Sequence, residues 1–194
     1  MSAKEWLFNQ IAIWEFSYEK RDIRNKNVHP AVFPIALPAR CIKLFTHEGE
    51  LVLDPFGGVG TTLVAAQDLN RNAIAFDLKE EYVDVANARL AQKKLLNNTK
   101  QMEICDDARN IEKYIKLNTV SLVVTSPPYS LFLGKPKLNK SRRGDLRNDE
   151  HYLKVQQYSQ DPKDLGTLEP IKFSQEIAAI FKNILPLLNQ KHIA

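Results

Sequence analysis

Apolar positions along this chain fall into short runs separated by longer stretches of helical spacing. Leu51-Val-Leu53 reads as a short buried strand ending at Asp54, and Asn72 to Phe76 as a second, closed by Asp77. Met102 to Cys105 is a third, running into Asp106-Asp107, and Ser121-Leu-Val-Val-Thr125 a fourth. Between them, Thr61 to Leu69 carries Leu63, Ala66 and Leu69 at helical spacing. Glu80 to Leu95 is an amphipathic helix with Tyr82, Val83, Ala86 and Leu90 inward. Ala39 to Phe45 predicts an earlier helix with Pro38 in its first turn, and Ile111–Ile115 a short one. Pro170 to Leu188 is the last helix, disturbed at Pro186. Residues 1–28 mix aromatics with charges and show no clear period, and residues 130–168 are a long polar stretch.

Strands alternating with helices predict a mostly parallel sheet with helices on both faces. Ligands of such sheets bind beyond the carboxyl ends of the strands. All four predicted strands end there in polar groups: Asp54, Asp77, Asp106 and Thr125-Ser126. One such ending is unremarkable, but four in succession point to a site.

Composition narrows the picture modestly. With 194 residues, 44% hydrophobic and 26% charged, the chain reads as one globular domain able to bury a core. It has no apolar run near the ~18 residues of a membrane span. Its first residues lack the apolar segment of a secretory signal. The two cysteines, Cys41 and Cys105, are isolated and suit a reducing cytoplasm. A net charge of +4 permits a polyanionic partner without requiring one. His29, His47, His151 and His192 lack metal-ligand spacing, so no metal is expected and they read as structural or exposed. Trp6 and Trp14 read as packing residues.

Two motifs carry chemistry. In Asp54-Pro-Phe-Gly-Gly-Val-Gly-Thr-Thr62, Gly57, Gly58 and Gly60 let backbone approach a ligand closely between a strand and a helix. The position three after Gly60 is Leu63, which departs from the dinucleotide fingerprint, and Gly60 is followed by Thr61-Thr62 rather than the Lys-Ser/Thr of a phosphate loop. Asp54 in this turn would repel phosphate and favour an ammonium group; a plain tight turn is the competing account. Asp77 stands where nucleotide-binding α/β units hold ribose hydroxyls, and it could equally cap the next helix. Asp106 and Asp107 could bind an adenine amine or cap a helix. In Ser126-Pro-Pro-Tyr129, the prolines stiffen the turn and leave carbonyls as acceptors, Ser126 adds an oxygen, and Tyr129 a flat face. Together these suit a planar heterocycle bearing an exocyclic amine, although Pro-Pro turns are also common structural devices. Lys135, Lys137, Lys140, Arg142, Arg143 and Arg147 follow against one Asp145, a stretch placed to meet phosphates or to be simply solvated.

The first motif resembles the cofactor motif of S-adenosylmethionine-dependent DNA amino-methyltransferases, and Thr125-Ser-Pro-Pro-Tyr129 resembles their catalytic motif. His29-Pro-Ala-Val-Phe-Pro34 is similar to the element that closes over the methionine end of the cofactor. The resemblance implies a Rossmann-like methyltransferase sheet and S-adenosyl-L-methionine as cofactor. It implies a donor pocket of Asp54, Pro55, Phe56, Gly57, Gly58, Gly60, Thr61 and Thr62, with Asp77 and Leu78 at the ribose, Asp106 at the adenine edge, and Ala31 and Phe33 at the methionine. Ser126 and the carbonyl of Pro127 would accept from the amine, while Pro128 shapes the turn and Tyr129 stacks on the base. Serine at the first position is similar to cytosine-N4 members, which implies transfer to a cytosine flipped out of double-stranded DNA, within a restriction-modification system. The alternatives are adenine-N6 methylation, RNA or protein amide methylation, and a cofactor-binding subunit without turnover.

The family sheet normally continues further and is accompanied by a target-recognition region, and no segment here has that size. The expectation is therefore a single partial catalytic domain over 1–194, incomplete at its C-terminal side, with a mobile DNA-facing loop at 130–168. A second polypeptide, or self-association, would complete the sheet and supply target recognition.

Overall fold

The computed structural model describes residues 3–9, 13–23, 28, 29, 31–92, 98–130 and 161–190. Strands β1 (Leu51–Asp54), β2 (Asn72–Asp77), β3 (Gln101–Cys105) and β4 (Val120–Val123) form one sheet in the order β3-β2-β1-β4. Every pairing is parallel: Leu53 lies opposite Ile74 on one side and Val123 on the other, and Ala75 opposite Glu103. Helices α1 (Ala3–Asn9), α2 (Ala36–Phe45), α3 (Thr61–Asp68), α4 (Glu80–Ala91) and α5 (Pro170–Ile184) complete the architecture. This is the parallel sheet expected from the alternation of elements, in the Rossmann-like arrangement that the resemblance implied.

Side-chain alternation in the strands sorts the core into two layers. On one face Leu53 and Phe76 join Ile111, Ile180, Ile184 and Leu187, which belong to the 3-10 turn Ala108–Lys113 and to α5 with its extension. On the other face Val52, Ala73 and Ala75 meet Ile42 of α2 and Leu63, Val64, Ala65 and Ala66 of α3. The alanines of β2 on that second face let α3 approach closely, and α3 is buried from Thr61 through Gln67. A helix buried on all sides has no polar stripe to display, so periodicity alone under-describes it.

The main differences from expectation lie at element ends. α2 begins at Ala36 rather than Ala39, and the short helix is a 3-10 turn starting at Ala108. α4 is described to Ala91, and residues 93–97 lie outside the described ones. The last helix does break near Pro186: α5 ends at Ile184 and Leu185–Leu187 continue as a 3-10 turn. α1 lacks a sequence signal because its Trp6, Leu7 and Phe8 are all largely exposed. Trp6 is thus not a packing residue, whereas Trp14 lies under the Arg40 guanidinium at 4.2 Å.

Beyond β4 the chain forms a single parallel bridge, Val120 to Leu188, with the Asn189 N–H donating to the Val120 carbonyl at 2.7 Å. Among the described residues, the outer edge of β4 is otherwise unpaired. No helix there is long and apolar enough to cross a membrane.

Phe76 is fully buried between β2 and α5 and touches the edge of Tyr114 at 5.5 Å between ring centroids. Phe76→Ala should therefore cost about 3–5 kcal/mol, read from the urea midpoint and slope.

Candidate active site

Strand order advances from β1 to β2 to β3, then reverses to place β4 on the other side of β1. Such reversals leave a crevice at the carboxyl ends of the strands, and a cleft opens there. It is walled by the turn after β1, the end of β2, the residues after β3, Ser126-Pro-Pro-Tyr129 after β4, and the segment from His29 to Phe33. The two motifs, separated by more than sixty residues in sequence, are two walls of one cleft.

The turn after β1 is built from its own side chains. Asp54 is buried; its carboxyl accepts the Phe56 N–H at 3.1 Å and the Thr62 hydroxyl at 2.6 Å. Burial pushes that carboxyl above its usual range, while these donors act in the opposite direction. Asp54 therefore ties the strand end to the first turn of α3 and does not line the cleft. Asp54, expected to favour a ligand ammonium and to shape the donor pocket, thus has both oxygens engaged inside the turn. Gly60 and Thr62 likewise stand behind the wall, whereas Pro55, Phe56, Gly57, Gly58 and Thr61 line it. Gly58 and Gly60 adopt φ of +58° and +72°, the left-handed region that favours glycine. Gly57 is required for space: a Cβ there would stand 2.7 Å from the Ala75 Cβ and would overlap Glu103 Oε1.

Asp77 lines the cleft at the end of β2 and accepts the N–H groups of Gly58 at 3.1 Å and Lys79 at 2.9 Å. It thus ties the glycine turn to Lys79, the residue that precedes α4. Burial raises its pKa to about 6, against the lowering effect of these two donors. Leu78 lies beside it in the wall. Asp106 follows β3 with the opposite electrostatics. Tyr114 donates to it at 2.7 Å, Asn110 at 2.9 Å and the Asp107 N–H at 2.7 Å, and the Tyr114 hydroxyl foremost holds its pKa below the usual value. Asp107 caps the 3-10 turn through the Arg109 N–H and pairs with the Arg109 guanidinium at 2.7 Å.

The cap-like segment is fastened from outside. Tyr18 donates to the Val32 carbonyl at 2.8 Å, and buried Asp22 accepts the Ile35 N–H at 2.8 Å. Ala31 and Phe33 consequently face the cleft as expected, together with Val32. His29 also lines it. Its Nδ1 accepts the Ala31 N–H at 3.2 Å, and its ring lies 4.6 Å from that of Tyr82. Desolvation lowers its pKa to about 4, so it stays neutral near pH 7. His29 opens the His29-Pro-Ala-Val-Phe-Pro34 segment, but read as a lone histidine it carries no spacing information that assigns it a role.

Lys163, Asp164 and Leu165 form a further wall that the sequence reading assigned to a DNA-facing loop. The 3-10 turn Leu165–Thr167, with Asp164 accepting the Gly166 N–H at 2.8 Å, packs Leu165 into the core, and Ser130 donates to the Leu168 carbonyl at 2.6 Å. Residues 161–168 are therefore part of the body of the domain. Lys135, Lys137, Lys140, Arg142, Arg143 and Arg147 lie outside the described residues. Among the described residues, no group of acidic, histidine and cysteine side chains could hold a metal.

Residues 3–88 match a family model described as DNA methylase. Among curated proteins, the chain is similar to the Type II methyltransferase M.HpaI of Haemophilus parainfluenzae, 40% identical over 82 residues, or 42% of this chain and 26% of that one. It is also similar to M.BglI of Bacillus subtilis, 39% identical over 88 residues, or 45% of this chain and 24% of the relative. These matches span about a quarter of the relatives' own lengths. Among solved structures, a Thermus thermophilus protein described as a putative DNA modification methylase and complexed with S-adenosyl-L-methionine aligns with TM-score 0.40 and 27% identity. That alignment covers 54% of this chain and 37% of the other.

Gly57→Ala should destabilise the domain at or beyond the upper end of the about 1–3 kcal/mol typical of overpacking, because the Ala75 Cβ has no room to yield. Gly49→Ala is the control: at φ +81° with nothing within 4 Å, it should lose only the about 1–2 kcal/mol of left-handed strain. Urea unfolding of the two variants checks the contrast. Residues 3–88, which include the glycine turn and Asp77, are thus similar in sequence to DNA methylases.

Proposed function

We propose that this chain is the catalytic portion of an S-adenosyl-L-methionine-dependent DNA amino-methyltransferase, transferring a methyl group to the N4 amine of a flipped cytosine. The observation that carries the reading is the convergence of the glycine turn and Ser126-Pro-Pro-Tyr129 on one cleft at the sheet's reversal point. The sequence match of residues 3–88 to DNA methylases supports it.

The residues present fit an adenosyl amino-acid cofactor. Asp77, Asp106 and Asp164 line the cleft, which disfavours a phosphate-bearing nucleotide and suits a ligand with a positive charge. Asp77, with Leu78 beside it, would accept ribose hydroxyls, and Asp106 the adenine amine. Gly57 and Gly58 give the backbone its close approach, while Ala31 and Phe33 enclose the methionine end. When bound, the cofactor supplies an electrophilic methyl group on a sulfonium.

The acceptor side needs no metal and no covalent nucleophile. Ser126 and the Pro127 carbonyl accept N–H bonds from the amine and so raise electron density on the attacking nitrogen. Pro128 rigidifies the turn, and half-exposed Tyr129 offers its ring to the base. Serine at position 126 favours cytosine over adenine in this proposal. The six lysines and arginines between 135 and 147 would meet DNA phosphates. A partner chain, or a second copy, would supply target recognition, and the outer edge of β4 beyond Val120, unpaired among the described residues, supports that arrangement.

Cofactor binding is the first test. Asp77→Asn should weaken S-adenosyl-L-homocysteine about tenfold or more by calorimetry, through loss of charge-assisted hydrogen bonds. Because burial raises the Asp77 pKa to about 6, wild-type affinity should rise as pH increases through 6; unchanged binding by Asp77→Asn would remove the ribose assignment. Ser126→Ala should leave cofactor affinity intact while lowering radiolabelled methyl transfer to DNA by on the order of 10²-fold, assayed with any partner chain present. Transfer to RNA or protein in place of DNA would reject the substrate assignment.

A further inference from the structure

Glu103 is the least explained residue beneath the cleft. It lies on the face of β3 turned toward α3 and α4, is buried, and among the described residues neither carboxyl oxygen has a hydrogen-bond partner. Both oxygens press on the underside of the glycine turn: Oε1 occupies the space a Gly57 Cβ would fill, and Oε2 lies 3.3 Å from the position of a Gly60 Cβ. A buried carboxylate without donors is costly, so the group is held as the neutral acid. The charged groups around it are Asp54 from β1, Asp77 from β2 and Arg89 from α4; burial first, then the two carboxylates, push its pKa well above the ordinary range against the pull of Arg89.

Arg89 completes the picture. One of its terminal nitrogens, Nη1, donates to the Val59 carbonyl and, at 3.2 Å, to the Thr61 hydroxyl, fastening the glycine turn to α4. The other, Nη2, is buried and, like Glu103, has no partner among the described residues. The pair is complementary and unjoined, and one of the two already holds the turn.

We propose that Glu103 is a positioning residue of the cofactor site, propping the glycine turn in its ligand-ready shape only while it carries a proton. Loss of that proton to solvent leaves a buried negative charge whose one cationic neighbour is Arg89. Pairing with it draws the guanidinium away from Val59 and Thr61, two residues of the cleft wall, and releases the turn. The inference rests on the reading of this cleft as the S-adenosyl-L-methionine site, and it adds a proton-dependent control of that site. Asp77 faces the ligand side and sets the acid limb of binding; Glu103, on the hidden side, sets the alkaline limb.

The test is calorimetric binding of S-adenosyl-L-homocysteine to the full chain between pH 6 and 9.5, for wild type, Glu103→Gln and Glu103→Leu. Wild-type affinity should fall on the alkaline side with a slope approaching about tenfold per pH unit. Both variants should lose the alkaline fall, each keeping one affinity from pH 6.5 to 9.5, because neither side chain can ionise. Thermal unfolding gives an independent readout. The folded state retains the Glu103 proton that the unfolded chain releases at about pH 4.3, so its contribution to stability shrinks as pH rises. Glu103→Gln should then raise the melting temperature at pH 8 and not at pH 5. A wild-type profile flat on the alkaline side overturns the proposal, as does an alkaline fall that survives in Glu103→Gln. Unfolding of both variants at pH 6 overturns it too, since the acid would then be a structural ligand of a group it must ionise to hold. Absence of wild-type binding even at pH 6 overturns the cofactor reading instead, and the proposal with it.

Discussion

The structure depends on how closely the turn between β1 and α3 can lie on the sheet. Gly57 rests against Ala75 of β2 and Glu103 of β3, and Gly60 against Ala86 of α4; a Cβ at either glycine would stand 2.7 Å or less from a neighbouring alanine Cβ. That closeness lets α3 begin directly over the sheet, with its first residues buried and Thr62 tied to Asp54. It also puts the Gly58 N–H within reach of Asp77, which links the ends of β1 and β2 into a single rim. The cleft exists because this rim sits low and the turn after β4 rises on the other side of β1.

The rim concentrates acids. Asp54, Asp77 and Glu103 lie around one turn, and Asp106 and Asp164 stand farther along the cleft. They do not share one role. Asp54 is consumed by local hydrogen bonds, Asp77 divides its carboxylate between the turn and the cleft, and Asp106 is held ionised by three donors. Among the described residues, Glu103 alone of these acids lacks donors, and this asymmetry separates a binding group from a supporting one. Carboxyls identical in type acquire different charges because each has a different count of donors and a different exposure to water.

Much of this was legible from residue order. The short apolar runs read from 51, 72, 102 and 121, with helical patterns between them, announced a parallel sheet. The glycine turn and Ser126-Pro-Pro-Tyr129 were visible because their backbone demands restrict them to a few residue types. Tyr82 and Lys163 through Leu165 were not, because each is an ordinary residue whose place in the cleft comes from long-range packing. For Asp54, the motif position says that it matters, but only its hydrogen bonds to Phe56 and Thr62 show what it holds.

The sequence by itself determined the elements, their order and the two turns that carry chemistry, because local backbone preference and hydrophobic period are properties of neighbouring residues. The tertiary structure decided which side of β1 receives β4, and hence that both turns face one cleft. It also decided which acids face that cleft and which are sealed beneath it. Those outcomes turn on burial and on partners distant in the chain, and neither is written in the spacing of the residues concerned.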